Sequence, residues 1–350
     1  MNPIEPRPGL RDTEPYQAPQ LAVPVRLNTN ESPYPLPEAF REELAEAVRD
    51  LQLNRYPDRE ATQLREALAD HAGHPVEGTW AANGSNEIIQ QLLLAYGGPG
   101  RKVLVFEPTY VLHERLSWIA HSDVVRIELE RPWTLSREDA AGAADIHPQV
   151  AFVCSPNNPT GNAQPIEVIE ELAATSNDAL VIVDQAYVEF GGESALPLVA
   201  RHPNVAVVRT FSKAFALAGA RIGYCLAAPE VIGDLRRVRL PYHLSALTQA
   251  AGTAALRHAA EAAAILEEIR AQRDRILREL PGAGAEAFAS DANFVLFRPP
   301  RPALEVWRGL LERGVLVRDM TTVVPECLRV TAGTPAETDR FLEALEEVLR

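Results

Sequence analysis

Two rhythms of apolar and polar residues run along this chain. Short apolar runs at 103–106, 124–129, 150–154, 180–183 and 205–208 are bounded by polar or turn residues. Runs this short and this apolar read as strands, most of them buried on both faces. Between them, apolar residues recur at three- and four-residue spacing. Such stretches cover 60–71, IIQQLLLAY after Glu87, 112–121 and 166–174, and they predict helices with one buried face. An earlier helix is expected over 37–51, with Phe40, Leu44, Ala47 and Val48 on one side. The alternation from about 80 to 225 predicts an α/β fold: a mainly parallel central sheet with helices on both faces. Residues 131–148 read as a variable connection.

Beyond the apolar run after Arg221 the rhythm changes. Helices are expected over 229–240 and, alanine-rich and unbroken, over 245–280. Short strands at 293–297, 315–317 and 327–330 alternate with helices at 302–313 and 335–349, which is the pattern of a smaller α+β unit. Prolines at 3, 6, 8, 15, 19, 24, 33, 35 and 37 forbid a continuous helix before residue 38. The expected division is therefore an extended arm (1–37), a large domain (38–245) and a small domain (246–350) packing with the arm.

Composition narrows the classes of function. Net charge is −14 with a pI near 5.1, which argues against nucleic-acid binding. A local arginine cluster can still hold an anion. The three cysteines, Cys154, Cys225 and Cys327, are far apart and lie in apolar runs, so neither a disulfide framework nor a zinc site is expected. His71 and His74 have H-x-x-H spacing, but Gly73 and Pro75 break any helix there and no metal site is expected. No apolar run approaches a membrane span, and the proline-rich start lacks a signal-peptide core, so a cytoplasmic enzyme is expected. No G-x-G-x-x-G follows a strand, which disfavours a nicotinamide dehydrogenase.

One composition detail bears on chemistry. Of 34 lysines and arginines, only Lys102 and Lys213 are lysines. Arginine can replace lysine as surface charge but cannot form a Schiff base, so a retained lysine is a candidate for amine chemistry. Lys102 follows a glycine-rich loop and reads as a solvated cation. Lys213 follows a strand end, beside Thr210, Ser212 and Arg221, a set suited to a phosphate. An amine beside a phosphate site points to pyridoxal 5'-phosphate. Asp184 ends another apolar run, where burial is costly unless it meets a partner such as a protonated pyridine nitrogen; a helix cap is the plainer alternative. Asn83 or Ser85 is expected to cap the helix that begins there, with Gly84 giving the turn, and a helix N-terminus can hold a phosphate. Tyr110, just past a strand, suits stacking on a flat ring, or a half-buried place in the core. Asn158 lies in a turn-rich loop that also follows a strand.

T-x-S-K with an arginine eight residues after the lysine resembles the lysine segment of fold-type-I pyridoxal-phosphate aminotransferases. SKAFALAGARIGY, SPNNPTG, D-x-A-Y at Asp184, NRYPD, RLNTNESPYPLP and LRDTEPY together resemble the histidinol-phosphate aminotransferases, from about Tyr16 to Thr334. The arm departs from the family in one place, reading SPYPLP where many relatives have NPYG.

The resemblance implies roles. Lys213 would bind the cofactor and move protons, Asp184 would face the ring nitrogen, and Asn158 and Tyr187 would face the ring oxygen. Tyr110 would stack on the ring. The Ser85 and Asn86 amides, Thr210, Ser212, Arg221 and Tyr56 of a second subunit would hold the phosphate, which implies a homodimer. Tyr16, Asn30, Arg318 and Arg329 would line the substrate pocket. The implied reaction is transamination of L-histidinol phosphate with 2-oxoglutarate, giving imidazole acetol phosphate and L-glutamate, in histidine biosynthesis. An aromatic aminotransferase or a phosphothreonine decarboxylase on the same scaffold, or a non-catalytic regulator that senses the cofactor, are the alternatives.

Overall fold

A computed structural model describes residues 4, 5, 7, 9, 10, 15 and 19–350. Its larger sheet has seven strands. In chain order the strands of the molecule are β1 (Val25–Leu27), β2 (Thr79–Ala82), β3 (Lys102–Glu107), β4 (Asp123–Glu128), β5 (Val150–Cys154), β6 (Leu180–Asp184), β7 (Val205–Thr210), β8 (Gly223–Ala227), β9 (Glu286–Ala287), β10 (Phe294–Arg298), β11 (Val315–Asp319) and β12 (Leu328–Thr331). The large sheet runs β2-β8-β7-β6-β5-β3-β4. All its pairings are parallel except those of β8, which is antiparallel to both β2 and β7. The mixed sheet, with helices on both faces, is the α/β architecture expected from the alternation of strands and helices.

Uninterrupted apolar runs follow from burial on two faces. Val103, Val105, Phe152 and Ile182 point into one core, while Leu104, Ala151, Val153, Val181 and Val183 point into the other. Successive strand residues alternate between the two sides, so neither side tolerates a polar residue.

The chain leaves β3 outward to β4 and returns to place β5 against the other side of β3. That reversal opens a crevice beyond the carboxyl ends of the strands, where open α/β sheets bind ligands. Tyr110 follows β3 and Asn158 follows β5, one on each side of the crevice. Asp184 closes β6, and Lys213 lies three residues beyond β7.

The second sheet runs β1-β11-β12-β10-β9. β1 comes from the arm and pairs in parallel with β11, Val25 opposite Val315. The proline-rich arm is thus clamped through this strand, which falls in 25–32, the longest stretch of the arm without a proline. The pairing carries Asn28 to Glu31 to the edge of the crevice.

Three expectations need correction. The connection 131–148 contains a helix, Arg137–Ile146, opened by a capping box in which Ser136 and Asp139 satisfy each other's backbone amides. Its alanine-rich sequence gives only a weak apolar stripe. The expected helix 245–280 is two helices, Ala246–Arg257 and Ala259–Glu279, meeting at His258. The His258 ring is held by Glu43 at 2.8 Å. Finally, neither Asn83 nor Ser85 caps the helix Ser85–Tyr96. Gly84 is its N-cap, and the Glu87 carboxylate reaches back to the Asn83 amide at 2.6 Å.

Candidate active site

The crevice is a cavity of about 640 Å³. Thirteen of the residues singled out in the sequence line it: Asn30, Ser85, Asn86, Tyr110, Asn158, Asp184, Tyr187, Thr210, Ser212, Lys213, Arg221, Arg318 and Arg329. Tyr56 does not. It is 79% exposed and stacks on Tyr242 with ring centroids 4.3 Å apart. Tyr16 lies outside the described residues.

One end of the cavity is built for an anion. Thr210 and Gly223 pair across β7 and β8, bringing the loop after β7 against the start of the helix Ser85–Tyr96. A Cβ on Gly223 would overlap the Gly84 backbone and the Ser85 nitrogen, and one on Gly84 would sit 2.5 Å from Arg221 Nη2. Gly84 also has φ +79, a conformation that glycine adopts without strain. Glycine at both places lets the helix N-terminus approach Arg221. Arg221 Nη1 donates to Ser212 Oγ at 3.3 Å, and Thr210 Oγ1 donates to Ser212 Oγ at 3.0 Å. Free helix amides, hydroxyls and a guanidinium form a phosphate cradle.

Asp184 lies deeper and is 2% exposed. One carboxylate oxygen takes the Nε2 of His113 at 3.0 Å, and the other accepts the Ala186 amide at 3.1 Å. His113 is fully buried and stacks on Phe152 at 4.5 Å. Asp184 is thus a partnered buried carboxylate and not a helix cap, since the next helical turn, Val188–Phe190, has Tyr187 at its N-cap. The sequence reading missed His113. Its signal was a single imidazole inside an apolar helix, four residues after Thr109, whose hydroxyl lies 3.5 Å from Nδ1.

Lys213 lines the same cavity. Its Nζ donates to the Thr29 carbonyl at 3.0 Å, and the amine sits 5.8 Å from the centre of the Tyr187 ring. Burial pushes its pKa down to about 7, with help from Arg329 and Arg221 and against the pull of Glu31. A substantial neutral fraction near pH 7 makes it a nucleophile, which an ordinary lysine is not. Tyr187 accepts from Asn30 at 3.0 Å and from Asn158 at 3.5 Å. Burial raises the pKa of its hydroxyl to about 12, so it remains a donor.

At the far wall Arg318 and Arg329 are cross-strand partners on β11 and β12. Arg329 Nη1 donates to Asn158 at 2.5 Å and Nη2 to the Asn28 carbonyl at 3.2 Å. Like charges paired across strands repel, an expense that an anion between them removes. The cavity carries Arg115, Lys213, Arg221, Arg318 and Arg329 against Glu31, Asp184 and Asp319. A chain of net charge −14 therefore presents a cationic interior at this site.

A phosphate cradle, an activated amine and a buried carboxylate in one cavity match the donor set that pyridoxal phosphate requires: an anion site, a Schiff-base nitrogen and a partner for a ring N–H. Among the described residues no group of three histidine, cysteine or acidic side chains is placed to hold a metal ion. Cys154, Cys225 and Cys327 are buried free thiols, and no helix among the described residues is long and apolar enough to cross a membrane.

The model of the aminotransferase class I and II family matches residues 23–345. A histidinol-phosphate aminotransferase of Paenarthrobacter aurescens (strain TC1) is 48% identical over 98% of this chain and 94% of its own length. One from Frankia casuarinae is 49% identical over 98% of this chain and 90% of its own. The crystal structure of histidinol-phosphate aminotransferase from Sinorhizobium meliloti in complex with pyridoxal 5'-phosphate superposes with a TM-score of 0.86 at 25% identity, covering 94% of this chain and 91% of that one.

Proposed function

This chain belongs to the class I and II aminotransferases, among the histidinol-phosphate aminotransferases, and on that premise we propose that it moves the amino group of L-histidinol phosphate to 2-oxoglutarate. The products are imidazole acetol phosphate and L-glutamate, and the reaction belongs to histidine biosynthesis. One observation carries the reading: a lysine of lowered pKa, a buried aspartate and two paired arginines face a single cavity.

Pyridoxal 5'-phosphate is the cofactor. Bound here, it supplies an electrophilic aldehyde and a protonated ring that draws electrons from the substrate α-carbon. Lys213 would hold it covalently. Once released, the Lys213 amine would take the proton from the substrate α-carbon as general base and deliver it, as general acid, to the cofactor carbon C4′, a role suited to a pKa near 7. Asp184, fixed by His113 and the Ala186 amide, would keep the ring nitrogen protonated. Asn158 and Tyr187 would donate to the ring oxygen, and Tyr110 would cover one ring face. The Ser85 and Asn86 amides, Thr210, Ser212 and Arg221 would hold the cofactor phosphate. Arg318, Arg329, Asn30 and Tyr16 would take the anionic end of the substrate.

We take the enzyme to be a cytoplasmic homodimer in which Tyr56 of one subunit reaches the cofactor phosphate of the other. The exposure of Tyr56 supports this, since a tyrosine needed only within its own subunit has little reason to stand in solvent beside Tyr242. Residues 38–245 would form the cofactor-holding domain, and 246–350, with the arm, the smaller one.

Half-reaction kinetics on the purified holoenzyme test the substrate. Histidinol phosphate should exceed phenylalanine in kcat/KM by about 100-fold, since phenylalanine offers the arginine pair a singly charged carboxylate in place of a phosphate, with fewer charge-assisted hydrogen bonds. Equal values for the two donors, or carbon dioxide release from phosphothreonine, would contradict the assignment.

A further inference from the structure

Two substrates of different charge must use one cavity if the transamination proposed above is right. Histidinol phosphate has a single anionic end and an imidazole at the other. Glutamate and 2-oxoglutarate carry a carboxylate at both ends. If Arg318 and Arg329 hold the phosphate in one half-reaction, they hold a carboxylate in the other. The second carboxylate then points where the imidazole had been, away from the arginine pair, and needs a partner of its own.

The lining that remains after the cofactor end and the arginine pair are set aside includes the apolar Pro15, Val111, Leu112, Met320 and Val323, with Thr322 and the acidic Glu31 and Asp319. Arg115 is its one cation. It sits on the helix Val111–Ile119, four residues after Val111 and three after Leu112, so the three share a face. His113, two positions earlier, points the opposite way and is buried under Asp184. Among the described residues Arg115 makes no hydrogen bond or ion pair, although Glu114 beside it is paired with Arg126. The other cations of the cavity are engaged: Lys213 with Thr29, Arg221 with Ser212, Arg329 with Asn158.

We propose that Arg115 is a specificity-determining residue that takes the distal carboxylate of the dicarboxylic substrate. Its long side chain can lie along the apolar wall when an imidazole is present and extend its guanidinium when a carboxylate is. A site of this kind accepts a neutral ring and a carboxylate in turn without a second pocket.

The test uses the holoenzyme and its R115Q and R115K variants. The two half-reactions are measured separately, with histidinol phosphate and with 2-oxoglutarate, and glutarate binding is measured by calorimetry. In R115Q the ratio of the two kcat/KM values should shift at least tenfold against 2-oxoglutarate. Glutarate affinity should fall by a similar factor, and R115K should restore part of both. Equal losses in the two half-reactions, no loss in either, or unchanged glutarate binding would overturn the proposal. A wild-type enzyme that reacts with glutamate but not with histidinol phosphate would refute the substrate assignment instead. Glutarate binding would still report on Arg115.

Discussion

Lys213 is held near neutrality by opposed charges, and each can be removed alone. Burial and Arg329 lower its pKa, while Glu31, on the clamped arm, raises it. Only the neutral amine attacks an aldehyde, so the rate at which apo-protein takes up pyridoxal phosphate should rise with pH through about 7. Glu31→Gln should move that midpoint down and Arg329→Met should move it up, followed by the visible absorbance of the bound cofactor. Unmoved midpoints would show that neither charge reaches the amine. The same shift bears on stability. The unfolded lysine stays protonated up to about 10.5, so between about 7 and 10.5 the unfolded state binds more protons, and this group's burial penalty eases as pH rises through that window. His113 is the other residue-scale test. His113→Phe keeps a flat ring on Phe152 but leaves one oxygen of a buried carboxylate without its donor, at a cost of about 1–3 kcal/mol. Melting temperature should fall and the cofactor Kd should rise about tenfold. A variant that binds cofactor as the wild type does would detach His113 from Asp184's role.

At the scale of elements, the cradle depends on how closely the helix Ser85–Tyr96 approaches β8. Gly223→Ala places a methyl group against the Gly84 backbone and the Ser85 nitrogen, where no flexible side chain can yield. Overpacking of this kind costs about 1–3 kcal/mol. Pushing the helix away from Arg221 should also weaken cofactor binding by about 100-fold by equilibrium titration. A variant that melts early but binds cofactor normally would show that the approach matters only for folding.

Legibility in the sequence followed the same geometry. Strands buried on two faces announced themselves as apolar runs, and their ends located Asn158, Asp184 and Lys213. β1 and β2 did not announce themselves. Val25–Leu27 is too short for a rhythm to register, and TWAA at Thr79–Ala82 sets two strand-favouring residues beside two alanines in a run of only four, so tertiary pairing decides both. Arg115 and His113 stayed hidden for a related reason. A helix shows which face is apolar, but not which polar residue on it meets another element.

For the whole molecule, the arm, the seven-stranded sheet and the five-stranded sheet meet at one cavity, which leaves Tyr56 and Tyr242 facing solvent. Leu53, Leu240 and Leu247, from the same stretches of chain, are exposed with them. An apolar grouping of this kind fits a subunit interface. Sedimentation should give a particle of twice the 38.4 kDa chain mass, and Tyr56→Phe should raise the cofactor Kd about tenfold through the lost hydroxyl bond to a phosphate. A monomer that binds cofactor at full strength would contradict both expectations. The most direct measurement follows from a chain with only two lysines. Protein loaded with pyridoxal phosphate is reduced with borohydride, digested, and mapped by mass spectrometry. The label should fall on the peptide holding Lys213 and be absent in Lys213→Arg. A label on Lys102, or no label in the wild type, would contradict it.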